Sequence, residues 1–184
     1  MVEVGNTLYV VDRGAWRDWL TRNHAVEPEI WLVYHTKASG QPSLPYNDAV
    51  EEALCFGWID SVVKKQAASS RVQRFTPRRP GSPLSEMNKE RMRRLRADGR
   101  LTAAGLAAAG DTLDEPFEIA PDILEALQAN QEIWANFLAF PEGYQRIRVG
   151  FIEASRRRRQ VFEQRLAYFL RMTARNRRFG MVQR

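Results

Sequence analysis

The sequence predicts an α+β fold: a small antiparallel or mixed β-sheet with packed helices, followed by a C-terminal helical bundle segment. Three observations predict it. The β-prone runs and a hairpin pattern all lie before Pro80, whereas every apolar stripe after Gly81 has helical spacing. A chain of 184 residues with 44% hydrophobic and 27% charged residues fills one core, or one core with a small helical annex, and falls outside the disordered and membrane compositions. The expected division is 1–110 for the α+β part and 111–184 for the helical segment with its Arg-rich end, with the acidic loop DTLDEPFE as linker.

Thr7 to Val11 is a short β-prone run, after which Asp12 caps a helix whose Trp16, Trp19 and Leu20 share one face. Glu29 to Thr36 is apolar at both parities, the pattern of a central strand covered on both sides. The turn-rich KASGQPSLPY leads into a helix striped by Tyr46, Ala49, Val50, Ala53 and Leu54 and stopped by Gly57. Trp58 to Lys65 and Arg71 to Arg78 flank the small polar loop QAASS, which predicts a β-hairpin. With the loop centred on Ala68, Trp58 pairs with Arg78, Asp60 with Thr76 and Val62 with Arg74, all on one face; a slip of one residue breaks the grouping.

Ser85 then caps a helix through Met92 and Leu95 that stops at Gly99, and Thr102 caps a short Ala-rich helix ending at Gly110. Pro121 to Ala129 is helical. Three further stripes follow: Ile133, Trp134, Phe137 and Leu138; Tyr144, Ile147, Phe151 and Ile152; and Phe162, Leu166, Phe169, Leu170 and Thr173.

Composition removes several function classes. Cys55 is the single cysteine, so an intramolecular disulfide and the paired-cysteine zinc sites are excluded, and a reducing cytoplasm is the expected home. The opening MVEVGNTLYVVDRGAW lacks a basic region followed by an apolar run, and no stretch reaches 18 apolar residues, so no transmembrane segment is expected. His24 and His35 stand in no metal-ligand spacing, and neither GxGxxG nor a P-loop is present, so no metal and no cofactor is expected. Glu51 and Glu52 are adjacent, point about 100° apart on a helix, and are expected on its solvent face.

The net charge of +6 is unevenly spread. Residues 1–92 hold twelve Lys or Arg against eleven Asp or Glu, whereas 146–184 hold twelve arginines against Glu153 and Glu163. Arg146, Arg148, Arg171, Arg175, Arg177 and Arg178, with the run Arg156 to Arg159, offer a phosphate-tracking stripe for nucleic acid or an anionic surface. The alternative is a solvated helix with a basic end, since no base-reading module is present. Arginine outnumbers lysine 24 to 4, which fits codon bias as well as selection for phosphate-binding forks.

The sharpest constellation is the hairpin face: Trp58, Asp60, Arg74, Thr76 and Arg78, with Arg79 just outside and Asn88 on the next helix. Guanidinium forks beside an aromatic plate and a hydroxyl are what recognition of a carboxylate or phosphate requires. An ion pair from Asp60 to Arg74 or Arg78 that merely holds the hairpin is the competing account. Three functions stay open: a small anionic ligand or protein partner bound at this face, an enzyme with Asp60 as base or Cys55 as nucleophile, or a binder of nucleic acid through the C-terminal arginines. Cys55 lies near a helix C-terminus, which works against an activated thiolate and favours a buried small hydrophobe.

The stretches EALCFGWID and QRFTPRRPGS, followed by Ser85 and Asn88, resemble the YdeI/OmpD-associated family, whose name is linked to bacteriocin protection. EIWLVYHTKASG, PSLPYNDAVEEAL and GRLTAAG support the likeness, which runs roughly from Trp16 to the Arg156 region. The resemblance implies a bacterial cytoplasmic protein with a compact α+β part and a helical C-terminal segment, and a role in tolerance to antimicrobial peptides or envelope stress. It implies no reaction and no catalytic residue, and it marks Trp58, Asp60, Arg74, Phe75, Thr76, Arg78, Arg79 and Asn88 as a shared pocket. GSPLSEMN departs from the family, which more often carries a Trp about two residues before the Asn, so one aromatic wall is expected to be missing.

Overall fold

The computed structural model describes residues 2–180. The chain packs as two units. One holds the described residues up to Pro83 together with Arg91–Gly110; the other holds Leu84–Glu90 and the described residues from Asp111 onward.

The first unit is built on a four-stranded mixed sheet in the order β1-β2-β4-β3, from β1 (Thr7–Leu8), β2 (Ile30–His35), β3 (Trp58–Ala67) and β4 (Ser70–Pro77). β1 runs parallel to β2, and the other pairs are antiparallel. The continuous apolar run places β2 inside the sheet, with Ile30, Trp31, Leu32 and Tyr34 buried. Helix α1 (Arg13–Asn23) starts where the Asp12 carboxylate accepts the Ala15 amide at 2.9 Å. It lays Trp16 edge-on to Phe75 of β4, and the Trp16 indole N–H donates to the Ala49 carbonyl of α2 (Tyr46–Cys55) at 3.0 Å. The two helices therefore cover the Phe75 face.

α2 ends at Gly57, whose φ of +73° only glycine adopts without strain. Behind it, α4 (Ala103–Ala109) begins at Thr102, whose hydroxyl accepts the Gly105 amide and donates to the Cys55 carbonyl at 2.7 Å. Gly105 permits this approach, because a Cβ there would stand 2.8 Å from the Cys55 carbonyl carbon and 3.0 Å from the Leu54 oxygen. Between them, α3 (Glu86–Ala97) gives its residues from Arg91 on to this unit and buries Met92 and Leu95.

The hairpin corrects the register expected from the sequence. Val63 lies opposite Gln73 and Lys65 opposite Arg71, as a loop centred near Ala68 requires, but a bulge between Asp60 and Val63 shifts the base of the hairpin. Asp60 pairs with Phe75, Ile59 with Thr76 and Trp58 with Pro77. The shift of one residue moves Arg74 and Thr76 to the opposite face from Trp58 and Asp60.

The second unit is helical: the start of α3, then α5 (Pro121–Gln128), α6 (Gln131–Ala139), α7 (Glu142–Glu153) and α8 (Arg159–Ala174). Ile123, Leu127, Phe137, Phe140, Tyr144 and Phe169 form its core. Each such side chain contributes about 1.5–3 kcal/mol through burial. Two residues of the expected stripes, Leu138 and Phe151, are instead exposed. The run Arg156–Arg158 is not helical as the sequence suggested; it makes the turn between α7 and α8.

Candidate functional site

The hairpin residues are not brought together. Trp58 is fully buried, its ring edge-on to Trp19 and its indole N–H donating to the His24 carbonyl at 3.0 Å. Asp60 accepts from the Tyr46 hydroxyl at 3.0 Å and the Gln73 amide at 2.7 Å, all on the helix-covered face. Across the sheet, the Arg74 guanidinium grips the Glu29 carboxylate, with Nε at 2.7 Å. The Trp31 indole donates to the same carboxylate at 2.9 Å, so burial is offset and Glu29 is held below the usual glutamate range. Thr76 lies on this second face beside Arg74. Arg78 donates to the Ala108 carbonyl, and burial lowers its pKa. Arg79 is exposed, its carbonyl accepting from the Ser82 amide and hydroxyl. Asn88 belongs to the second unit, its amide at the cap made by Ser85. The one-face cluster expected from the sequence is therefore corrected: the bulge separates Asp60 from Arg74, and Arg78 is bound to a helix carbonyl.

Glu51 and Glu52 are also corrected. Both are buried, not solvent-facing, because α2 presents them to arginines from α1 and from the α3 region. Glu52 accepts from Arg17 Nη1 at 2.7 Å and forms ion pairs with Arg13 and Arg100; Glu51 pairs with Arg13 and Arg94. Burial alone would raise the Glu51 carboxyl, but the Arg13 hydrogen bond and the Arg94 charge outweigh it and hold it below the usual range. Cys55 sits just beyond, buried, with its thiol pKa pushed up first by desolvation and then by Glu52. A thiol so placed is poorly suited to nucleophilic attack.

The second unit holds a cavity of about 250 Å³ between α7 and α8, lined by apolar and aromatic side chains with Arg148, Gln164, Arg165 and the Tyr168 hydroxyl as its polar groups. Arg148 is 6% exposed. Its guanidinium carbon lies 5.6 Å from the Tyr144 ring centroid, 5.6 Å from that of Phe151 and 4.9 Å from that of Phe179. A Cβ on Gly180 would come within 2.6 Å of Arg148 Nη1, so the backbone there lies against the guanidinium. Among the described residues no carboxylate pairs with Arg148 and its Nε–H has no hydrogen-bond partner. Burial accordingly lowers its pKa. Arg165 is differently placed: its guanidinium stacks 3.6 Å over the Phe151 ring and Nη1 donates to the Phe151 carbonyl at 2.6 Å.

Arg148 is the residue the sequence reading misplaced. It lies among the arginines of the expected phosphate-tracking stripe, yet Tyr144, Arg148 and Ile152 recur every four residues, on the apolar face of α7. That spacing was the available signal. Several other members of the stripe are neutralised locally: Arg146 by Glu142, Arg156 by Asp122 and Glu153, and Arg159 by Glu163. Arg157, Arg158, Arg175, Arg177 and Arg178 are exposed. Arg184 lies outside the described residues.

No helix among the described residues is long and apolar enough to cross a membrane. Residues 8–108 match the family model described as Domain of unknown function (DUF8412). Residues 116–176 match the model described as Bacteriocin-protection, YdeI or OmpD-Associated. The LCFGWID and RFTPRR stretches lie within the first match, whereas Arg148, Phe151, Gln164 and Arg165 lie within the second. No curated protein and no solved structure matches the chain.

Proposed function

Because the chain belongs to the family described as Domain of unknown function (DUF8412) and carries a Bacteriocin-protection, YdeI or OmpD-Associated domain, we propose that it is a cytoplasmic binding protein that captures a small anion at Arg148. One observation carries this reading: a guanidinium 6% exposed, facing a cavity, with no carboxylate partner among the described residues. Ring faces offset part of the cost of burying this charge, but buried charges in folded proteins are ordinarily paired with an opposite charge. An anion bound at Arg148 supplies that missing pairing. The cavity lining contains no Asp, Glu, His, Cys, Ser or Thr, and its one hydroxyl, that of Tyr168, has no acidic or imidazole partner in the lining, which favours holding a ligand. In this reading the hairpin residues and the Glu51 and Glu52 network serve the stability of the first unit.

The family description supports a cellular role in tolerance to antimicrobial peptides. The biochemical test is thermal unfolding of the full chain with acetate, benzoate, sulfate and inorganic phosphate at matched ionic strength, using chloride as reference. A ligand at 100 times its Kd adds about 2.7 kcal/mol to stability. Stabilisation by at least one anion, lost in Arg148→Met, is expected; equal unfolding with every anion would refute the reading. In cells, Arg148→Met is expected to fail where the native gene restores peptide tolerance to a strain lacking it.

A further inference from the structure

The anion reading leaves the class of anion open, and the cavity's own lining narrows it. Arg148 is the one buried cation of the wall: Arg165 keeps its charge while it stacks on the Phe151 ring and donates to the Phe151 carbonyl, but it is partly exposed and its charge is screened by water. A monoanion brings the enclosed charge to zero. A dianion exchanges one uncompensated charge for another of opposite sign, in surroundings where either is costly.

Apart from Gln164 and the Tyr168 hydroxyl, the remaining wall is apolar: Phe151, Ile152, Val161, Phe169 and Phe179. Such a wall gains from an apolar body and gains nothing from a bare inorganic ion. At about 250 Å³ the cavity is smaller than most pockets for drug-sized ligands, so the body is compact, a single ring or a short alkyl chain. The planar Arg148 fork matches the two oxygens of a carboxylate.

Resting on the anion reading above, we propose that the cavity binds a monocarboxylate with a compact apolar body, an aryl or medium-chain alkyl acid, its carboxylate on Arg148 and its body among Phe151, Val161, Phe169 and Phe179. Tyr168 and Phe179 stand edge to face at 4.7 Å between centroids. The Phe179 amide, 3.2 Å from the Tyr144 hydroxyl, ties the segment after α8 to the Arg148 wall. The site is thus composed of α7, α8 and the segment that follows.

Calorimetric titration of the full chain with acetate, hexanoate, octanoate, benzoate and inorganic phosphate tests this. Each methylene that enters the cavity is worth about a fourfold gain in affinity. Benzoate and octanoate are therefore expected to bind at least about tenfold more tightly than acetate, with phosphate no tighter than acetate. Loss of the charge-assisted hydrogen bonds in Arg148→Met should weaken benzoate roughly 10- to 100-fold. Val161→Phe, which fills the cavity without touching the charge, should weaken benzoate and octanoate by a larger factor than acetate; it carries the test if Arg148→Met does not fold. Acetate binding as well as octanoate, or phosphate binding best, would overturn the class while the anion reading stood. Binding by none of the five would overturn both.

Discussion

Replacing Glu52 by Gln is the most demanding perturbation of the first unit, because it changes charge while keeping shape. The Glu52 side chain is fully buried, and its two oxygens serve Arg13, Arg17 and Arg100. Gln offers one acceptor oxygen and turns an NH2 donor toward guanidinium donors, so at least one arginine loses its partner. Removing one partner from a buried ion pair costs about 3–5 kcal/mol. Here the arginine side chains are 33%, 36% and 31% exposed, so part of that cost is recovered by turning to water. The net loss should be about 2–4 kcal/mol, or roughly 5–15 °C in Tm for a chain of this size. Tryptophan fluorescence reports it well, since Trp16, Trp19, Trp31 and Trp58 all lie in the first unit. A Glu52→Gln midpoint within about 2 °C of the native chain would refute the reasoning and mean that the arginines are already solvated.

The same network sets an acid limit. Glu51 titrates below its ordinary value of 4.5 in the folded chain, so its stabilisation is fully present above that pH and is lost as pH falls through the lower, folded value; acid titration of the fluorescence signal should show this, and an Arg94→Met variant should unfold at a higher pH. Gly105→Ala is expected to destabilise by about 1–3 kcal/mol in urea unfolding, since the clash with the Cys55 carbonyl exceeds the gain in helix propensity; a stabilised variant would show that α4 can move away. Arg74→Ala should cost less than about 1 kcal/mol and leave the circular dichroism spectrum unchanged, because the pair with Glu29 is partly exposed and Trp31 still donates to that carboxylate. Cys55 should resist iodoacetamide at pH 8 in the folded chain and react on unfolding, as burial and the raised thiol pKa require.

The sequence determined those features that local chemistry decides. Asp12 and Thr102 cap their helices because a short oxygen side chain satisfies a free amide wherever it stands, and Gly57 ends α2 because the left-handed turn needs no Cβ. The α+β class, the central β2 and the helical character after Gly81 followed from periodicity alone.

Tertiary structure decided where charge and register are concerned. The bulge after Asp60 inserts one residue that no residue type announces, and it sends Asp60 and Arg74 to opposite faces. Glu51 and Glu52 read as solvent-facing because burial of a carboxylate depends on arginines 35 to 48 residues away, which no local pattern reveals. Arg148 read as one more surface arginine for the same reason. A charge is buried or exposed according to what the rest of the chain folds against it, and only the packed helices α7 and α8 show that this one has rings around it and no carboxylate among the described residues.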